Sequence, residues 1–214
     1  MIEQWKLLKN PRLAARFDLI GMVSGLLLVF FMFGHAMMLA TIVFGVETMD
    51  GLSMWLEDLY LAQAGAIGMV FLILIHFVTA GRKLPLRVNE QRMIWRLTRR
   101  LSHLDTWLWL VQVVTGMMIL LFVMVHLYFV LTTFPIEAVK SSTRVAANFG
   151  YLYAPMIIVI WLHLGIGLYR IFVKWTPFNR KILKVFKWLL ILGFIADSLF
   201  VLKTFWTIGL QYVN

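Results

Sequence analysis

The segment Asp105–Leu131, DTWLWLVQVVTGMMILLFVMVHLYFVL, decides the fold of this chain. It carries no charged residue after Asp105, and it is longer than the ~20 helical residues that cross the ~30 Å hydrocarbon core of a bilayer. One histidine, His126, lies near its far end. An ionisable side chain inside a membrane is costly and is a functional hypothesis by default. A matching histidine in another span would strengthen that hypothesis.

The composition of the whole chain is that of an integral membrane protein. Its 214 residues are 62% hydrophobic and 14% charged, with a mean hydropathy of +0.86, whereas a soluble domain is about half apolar and about one quarter charged. Cysteine is absent, which excludes disulfides, iron–sulfur ligation by this chain and thiol catalysis. The net charge of +10 does not indicate nucleic acid, because the basic residues alternate with apolar spans.

Five apolar spans predict an all-α integral membrane bundle of five transmembrane helices, in one domain over residues 1–214. A lone strand could not satisfy its backbone hydrogen bonds in lipid, and the sequence lacks the alternation of a membrane barrel. Spans I to V occupy about residues 17–46, 59–80, 104–131, 146–169 and 182–210.

The distribution of lysine and arginine predicts the orientation of the spans. Basic residues are concentrated in the N-terminal segment and in the II–III and IV–V connections, whereas the III–IV connection has only Lys140 and Arg144 and the I–II connection has none. The positive-inside rule therefore places the N-terminus and the two basic connections in the cytoplasm, and the C-terminus outside.

The II–III connection, residues 86–102, places apolar side chains at roughly helical spacing with arginines between them. This pattern predicts an amphipathic helix at the membrane interface. Two interpretations remain open, because such a helix could bind lipid headgroups or dock a cytoplasmic partner. Ser102 and Asp105 are expected to cap span III.

Four of the five histidines lie inside spans, one in each of spans I to IV: His35, His76, His126 and His163. At ~1.5 Å of rise per residue, two of them, His35 and His126, lie toward the outer ends of their spans and form an outer pair. The other two, His76 and His163, lie toward the inner ends and form an inner pair. Two histidines from facing helices at one level are the ligand set of a six-coordinate b haem. The pattern predicts two stacked haems.

Other functions for these histidines fit the pattern less well. Zinc or copper would need three or four ligands at one level, and each level offers two. Proton relays usually include intramembrane carboxylates, and only Asp197 is deep. A lone histidine in a span is usually a helix–helix hydrogen bonder, and His103, at the edge of span III, is predicted to be an interfacial polar residue.

Small residues and edge cations are expected to support the haems. Small side chains let helices or a flat porphyrin approach closely, and spans I, III and IV carry Ser24, Gly25, Gly34, Thr115, Gly116, Gly165 and Gly167. Haem propionates need cationic or polar partners, and the candidates at the two edges are Arg144, Lys140, Arg82, Lys83 and Arg170.

Several segments resemble a known family, the dihaem cytochrome b subunit of quinol:fumarate reductases and succinate:quinone oxidoreductases. The resemblance is to the single-anchor, two-haem type of epsilonproteobacteria and sulfate reducers, and it extends from about Asp18 to Trp175. The matching segments are FGHAMMLATIVFG, LIHFVTAGRKLPL, HLDTWLWLVQVVTGMMILL, VHLYFVLTT and WLHLGIGLYRIFVKW.

The resemblance implies a multi-pass subunit of the bacterial cytoplasmic (inner) membrane with two haem b groups. Its implied partners are a covalent-FAD flavoprotein and an iron–sulfur subunit on the cytoplasmic face, and its relatives form dimers of this heterotrimer. Menaquinol would be oxidised near the outer haem, and electrons would pass to the inner haem, the iron–sulfur clusters and fumarate. The family pairs the matching histidines as their depths do.

Two acidic positions of the family carry further expectations. An essential glutamate at the outer quinol site matches Glu57 by its spacing from His35, with Asp58 as a competitor. From the residues alone, Glu57 is either a proton acceptor at the outer edge or a solvated loop carboxylate. A second family glutamate, which carries protons across the membrane, is replaced by Trp161. Turnover is therefore expected to move net charge across the membrane or to use another proton route, for which Asp197 is a candidate.

Alternative functions remain open at this point. The same subunit could work in succinate:quinone reduction, or the chain could be the cytochrome b subunit of a membrane hydrogenase or formate dehydrogenase. A non-redox transporter or structural anchor is a further class, but transporters tend to have broken helices and midplane charges, which these spans lack.

Overall fold

The computed structural model of the chain describes residues 10–85, 87–175 and 180–212. Within these ranges it contains helices and turns but no strand. Eight α-helices follow in chain order: α1 (Pro11–Ala40), α2 (Val46–Asp58), α3 (Leu61–Gly81), α4 (Val88–Leu101), α5 (Leu104–Leu131), α6 (Ala138–Ala147), α7 (Ala154–Trp175) and α8 (Arg180–Leu210). A short 3₁₀ turn (Thr41–Phe44) extends α1, and a π turn (Phe149–Tyr153) precedes α7.

Five of these helices are long and apolar enough to cross a membrane, which confirms the predicted all-α bundle. They cover Pro11–Phe44, Leu61–Gly81, Leu104–Leu131, Phe149–Trp175 and Ile191–Leu210. The start of α1 differs from the predicted start of span I because Asn10 caps the helix. Its Oδ1 accepts a hydrogen bond from the backbone N–H of Leu13 at 3.2 Å, and Pro11 suits the first helical position.

Two helices lie in connections where the sequence predicts no helix. Helix α2 lies between α1 and α3, and α6 lies between α5 and α7. Carboxylates of α2 hold the start of α6: Asp50 accepts from the N–H of Ala138 at 2.6 Å, and Glu57 accepts from the N–H of Ile136 at 2.6 Å. Helices α2 and α6 together form a cap, called here the α2–α6 cap, over the predicted outer end of the bundle.

The packed hydrophobic core lies under this cap and does not fill the middle of the bundle. Its buried members come from α2, α6, the turns beside them, the start of α7 and the end of α8, and include Ile42, Met49, Ala138, Tyr153 and Phe205. Helix α8 crosses α6 at Gly209, where the backbones of the two helices are in contact. A Cβ at this position would overlap the carbonyl oxygen of Ser142 and lie 2.8 Å from Cβ of Ala146.

The substitution Gly209→Ala is expected to destabilise the protein by about 1–3 kcal/mol, because the added methyl group overpacks a backbone contact. Thermal denaturation in detergent, followed by tryptophan fluorescence, measures the effect. The matched control is Gly193→Ala in the same helix, where a Cβ would meet nothing within 4 Å. Equal midpoints for the two variants would show that α6 and α8 do not pack this closely.

Helix α4 occupies most of the predicted amphipathic segment, and its end corrects one expectation. Ser102 has a left-handed backbone conformation (φ 48°) that ends α4, so it does not cap α5. The N-cap of α5 is His103, which makes no side-chain capping bond. Asp105, in the first turn of α5, accepts a hydrogen bond from the Tyr169 hydroxyl at 2.9 Å, so it links α5 to α7.

Candidate functional site

A large cavity runs along the middle of the helix bundle. Its volume is about 1120 Å³, whereas pockets for single small ligands measure about 300–1,000 Å³. All five long helices contribute to its wall, and so do all four intramembrane histidines: His35, His76, His126 and His163. The bundle therefore surrounds an interior space in which every predicted ligand is represented.

The structure brings the two histidines of the outer pair together. The ring centres of His35 and His126 lie 6.2 Å apart, with planes at 74°. Two imidazoles on opposite sides of one metal ion, each with a metal–nitrogen bond of about 2 Å, have ring centres about 6 Å apart. The ring of His35 stacks on Phe31 at 5.6 Å, and Nδ1 of His126 is buried without a hydrogen-bond partner in the described part of the chain. Spacing and donor set fit one six-coordinate iron.

Each histidine of the inner pair contacts a hydroxyl-bearing residue of a neighbouring helix. Nδ1 of His76 lies 3.1 Å from Oγ of Ser24 in α1, and Nδ1 of His163 lies 3.2 Å from Oγ1 of Thr115 in α5. Nδ1 of His163 also lies 3.2 Å from the carbonyl oxygen of Gln112. Metal-binding histidines usually make such a bond with the ring nitrogen that does not bind the metal.

Glycine follows each of these hydroxyl residues and lets the imidazole approach. A Cβ on Gly25 would lie 3.1 Å from Cε1 of His76, and a Cβ on Gly116 would lie 3.0 Å from Cε1 of His163. Both distances are shorter than ordinary contacts between side chains, so alanine would push the imidazole aside. These two glycines form cradles for the inner pair, and this geometry fits imidazoles that are held in place to bind a cofactor.

The sequence predicts small residues near the histidines but not which histidine each one contacts. The signal was present: hydroxyl–glycine pairs in spans I and III, Ser24–Gly25 and Thr115–Gly116, precede the histidine of their own helix at the same spacing. Gly34 has no close neighbour within 4 Å, whereas Gly165 approaches Ile191 and Gly167 approaches Gln112. These last glycines therefore pack helices and do not contact the histidines.

A cluster around Asp18 closes the predicted cytoplasmic end of the bundle. Its carboxylate forms ion pairs with Arg82, with Lys83 at 2.7 Å and with Lys174 at 2.6 Å, so it connects α1, the end of α3 and α7. Burial, together with the positive charges of Arg82, Lys174 and Arg170, lowers the pKa of Lys83 to about 8. Its positive charge is therefore lost as the pH rises through about 8.

The five predicted propionate partners differ in their access to the cavity. At the predicted cytoplasmic end Lys83 and Arg170 line it, and at the other end Lys140 and Arg144 line it. Arg82 instead turns toward Asp18 and also donates to the carbonyl oxygen of Thr79 at 3.1 Å.

The two cations at the capped end are held by the connection between α5 and α6. Arg144 donates to Oγ1 of Thr133 at 2.5 Å and hydrogen-bonds Tyr153, whose ring centre lies 6.2 Å from that of His126. Lys140 donates to the carbonyl oxygen of Pro135 at 2.8 Å. A cationic and hydroxyl-rich edge therefore lies beside the outer pair.

Glu57 lies at the end of α2, half-buried, and its Oε1 accepts from the N–H of Ile136 at 2.6 Å. Its neighbour Leu56 and its partner Ile136 both line the cavity. Asp58, the competing candidate, is exposed. The bond with Ile136 makes Glu57 a fixed carboxylate next to the cavity rather than a fully solvated loop residue.

Trp161 and Asp197 line the same cavity from α7 and α8. The indole Nε1 of Trp161 is buried without a hydrogen-bond partner among the described residues. Asp197 shares its helix face with Phe194 and Val201, which also line the cavity. The one carboxylate that the sequence places deep in a span therefore faces the interior of the bundle.

Comparisons with known proteins identify the family of the chain. Residues 88–196 match the family model described as succinate dehydrogenase/fumarate reductase transmembrane subunit. The fumarate reductase cytochrome b subunit of Helicobacter pylori strain J99 is 30% identical over 206 residues, which cover 90% of this chain and 80% of that protein. That of Wolinella succinogenes is 30% identical over 183 residues, which cover 81% of this chain and 72% of that protein. The chain therefore belongs to the family of succinate dehydrogenase/fumarate reductase transmembrane subunits.

Proposed function

We propose that this chain is the dihaem cytochrome b anchor of a quinol:fumarate reductase in a bacterial inner membrane. It would oxidise menaquinol near the outer face and deliver electrons to an iron–sulfur subunit and a flavoprotein on the cytoplasmic face. The observation that carries the proposal is one long cavity lined by four histidines, of which His35 and His126 have ring centres 6.2 Å apart. The two b haems, when bound, supply one-electron transfer between the quinol site and the iron–sulfur subunit.

The residues of the chain have separate tasks in this proposal. The outer pair would bind one iron and the inner pair the other, and neutral imidazoles suit this task because buried charge is costly. At the two ends of the cavity, cations would face the propionates: Lys140 and Arg144 at the capped end, Lys83 and Arg170 at the cytoplasmic end. Arg82, paired with Asp18, would mainly hold α1 against α3.

Glu57 would accept a proton from the quinol. A general base must lie within hydrogen-bond reach of the proton that it takes, directly or through one water. The carboxylate has one oxygen, Oε1, fixed by the N–H of Ile136, and its second oxygen remains available to a quinol hydroxyl. The cap places this group at the same end of the bundle as the outer pair, so the proton and the electron of the quinol would leave toward neighbouring groups.

Purification of the complex through a tag on this chain tests the proposal. We expect a flavoprotein and an iron–sulfur subunit to copurify, and a menaquinol analogue to drive fumarate reduction. A complex that instead oxidises hydrogen or formate would assign the chain to another cytochrome b family. Faster succinate oxidation than fumarate reduction with the matching quinone would reverse the working direction without changing the site.

Trp161 supports a second expectation, that turnover is electrogenic. An indole cannot pass protons at neutral pH, so the proton route of the family glutamate is missing at this position. Quinol oxidation outside and fumarate reduction inside would then move one charge across the membrane per electron, at ~2.3 kcal/mol per 100 mV. Proteoliposomes that contain the complex are expected to develop a membrane potential during turnover, and Asp197→Asn is expected to leave the charge moved per electron unchanged.

The opposite result would assign a proton route to Asp197. If the wild-type complex develops no membrane potential and Asp197→Asn does develop one, then Asp197 carries a compensating proton. Ser198→Ala is the matched control for this measurement, because Ser198 follows Asp197 on the wall of the same cavity but cannot exchange a proton with quinol at neutral pH.

A further inference from the structure

The hydroxyl groups beside the inner pair have hydrogen bonds that fix the position of their own hydrogen. Oγ1 of Thr115 donates to the carbonyl oxygen of Val111 at 2.7 Å, and Oγ of Ser24 donates to the carbonyl oxygen of Gly21 at 3.2 Å. A hydroxyl group has one hydrogen and two lone pairs, and a carbonyl oxygen can only accept. The hydrogen of each hydroxyl is therefore used within its own helix, and its lone pairs face the imidazole.

The proton of each inner imidazole is located by the same reasoning. Nδ1 of His163 faces two acceptors, the hydroxyl of Thr115 and the carbonyl oxygen of Gln112, so this nitrogen must carry the hydrogen. For His76 the assignment rests on two contacts: Nδ1 faces the hydroxyl of Ser24, which donates to Gly21, and the imidazole also bonds the backbone of Gly21, so we assign the hydrogen to Nδ1 here as well. In both rings the lone pair then belongs to Nε2. In His163 this atom lies 3.2 Å from the side-chain amide nitrogen of Gln112, which donates to it, so a haem iron would replace Gln112 as the partner of that lone pair.

We propose that Ser24 and Thr115 are positioning residues that hold the inner pair in the Nδ1–H form and lower the reduction potential of the inner haem. Hydrogen bonds to the second ring nitrogen fix the tautomer and raise the basicity of the ligand. A more basic ligand stabilises ferric over ferrous iron, and such bonds are one of the means by which a protein sets a haem potential. The inference rests on the proposed function, in which the inner pair binds haem.

Within the described ranges, this hydrogen bonding to Nδ1 is found at both histidines of the inner pair and not at His126 of the outer pair. Nδ1 of His126, in the outer pair, has no hydrogen-bond partner among the described residues, whereas both inner histidines have one. The hydroxyl residues occur next to Gly25 and Gly116, whose missing side chains let the imidazoles come within hydrogen-bond distance. In each hydroxyl–glycine pair, the glycine makes room for a histidine of the neighbouring helix and the hydroxyl bonds that histidine. The two pairs would let the chain set the reduction potential of the inner haem separately from that of the outer haem.

Potentiometric titration of the intact complex, followed in the visible b-haem bands, tests the inference. Thr115→Val removes the hydroxyl at nearly constant volume, and we expect the midpoint potential of the inner haem to rise. Loss of a hydrogen-bond partner of a metal ligand typically changes metal affinity or activity by about 10–100-fold. We expect the reduction equilibrium of the inner haem to shift about tenfold, which is ~59 mV for one electron. Ser24→Ala should act in the same direction through His76. His163→Ala, which removes a ligand of the inner haem, identifies its midpoint.

Two further variants separate tuning from general damage. Thr115→Ser keeps the hydroxyl and should retain the wild-type potential. Thr79→Val makes the same chemical change as Thr115→Val at another buried threonine, whose hydroxyl bonds only the carbonyl oxygens of Ile75 and His76 and no imidazole in the described contacts. It should leave both midpoints unchanged.

Each outcome decides between the possibilities. An unchanged inner midpoint in Thr115→Val and Ser24→Ala, with both haems bound, would overturn the inference, as would an equal shift in Thr79→Val. If Thr115→Val loses the inner haem altogether, two other variants test the inference. A raised inner midpoint in Ser24→Ala and a wild-type midpoint in Thr115→Ser would support it, and an unchanged midpoint in Ser24→Ala would overturn it. Absence of b haem from the wild-type complex would instead overturn the proposed function.

Discussion

His126→Ala is expected to remove one of the two b haems and to reduce quinol-driven fumarate reduction by more than 100-fold. In the proposed function His126 supplies half of the outer ligand set, and its ring centre lies 6.2 Å from that of His35. Loss of an outer-shell partner of a metal ligand already costs about 10–100-fold, and the loss of a ligand itself is expected to cost more. The pyridine haemochrome assay counts the haems, and menaquinol-analogue oxidation measures the rate.

His103→Ala is the matched control. His103 is an exposed histidine at the N-cap of the same helix α5, 3.9 Å from a carboxylate oxygen of Asp105. The variant should keep both haems and full activity, because this imidazole lies outside the cavity. If His126→Ala also kept both haems, the outer pair would be a packing contact and not a ligand set.

Glu57→Gln is expected to slow quinol oxidation by about 10²–10⁴-fold, the usual contribution of a general base, while both haems remain bound. The amide oxygen of glutamine can still accept from the N–H of Ile136, as Oε1 of Glu57 does at 2.6 Å, so the cap is preserved. The amide cannot take a proton from quinol. Turnover with a menaquinol analogue and the haem count, measured together, separate these effects.

The neighbouring carboxylate Asp50 offers an unusually close control. It accepts from the N–H of Ala138 at 2.6 Å, so Asp50→Asn makes the same change in charge and preserves the same kind of bond to the start of α6. If both variants slow turnover to a similar extent, Glu57 only holds the cap. A large loss in Asp58→Asn with a normal rate in Glu57→Gln would assign the proton acceptor to Asp58.

The membrane-spanning part of the fold was predictable because apolar length alone determines it. Span III, predicted at about 104–131, agrees with α5 at Leu104–Leu131, since charged or polar residues flank both ends of a continuous apolar stretch. Helices α2 and α6 were missed because they are short and rich in polar residues, so they resemble loops in composition. Their stability comes from tertiary contacts, such as the bonds that Asp50 and Glu57 make to backbone N–H groups near the start of α6.

The sequence predicts how deep each histidine lies in its span, but not which residues of the neighbouring helices it contacts. Counting residues along the spans puts His35 and His126 at one level, and the structure brings their rings together. The sequence did not reveal that Ser24 contacts His76 or that Thr115 contacts His163, because helix neighbours are set by packing between segments far apart in the chain. It also gave Arg82 the same role as Lys83, although both pair with Asp18 and, of the two, Lys83 is the one that lines the cavity.

The central claim, two bis-histidine haem sites in one cavity, is tested most directly by a redox-titrated visible spectrum of the purified protein with a pyridine haemochrome count. Two b haems per chain that titrate at two separate potentials are the predicted result. One haem would mean that one histidine pair is structural. A protein without b haem would contradict the account and leave His35, His76, His126 and His163 as packing residues.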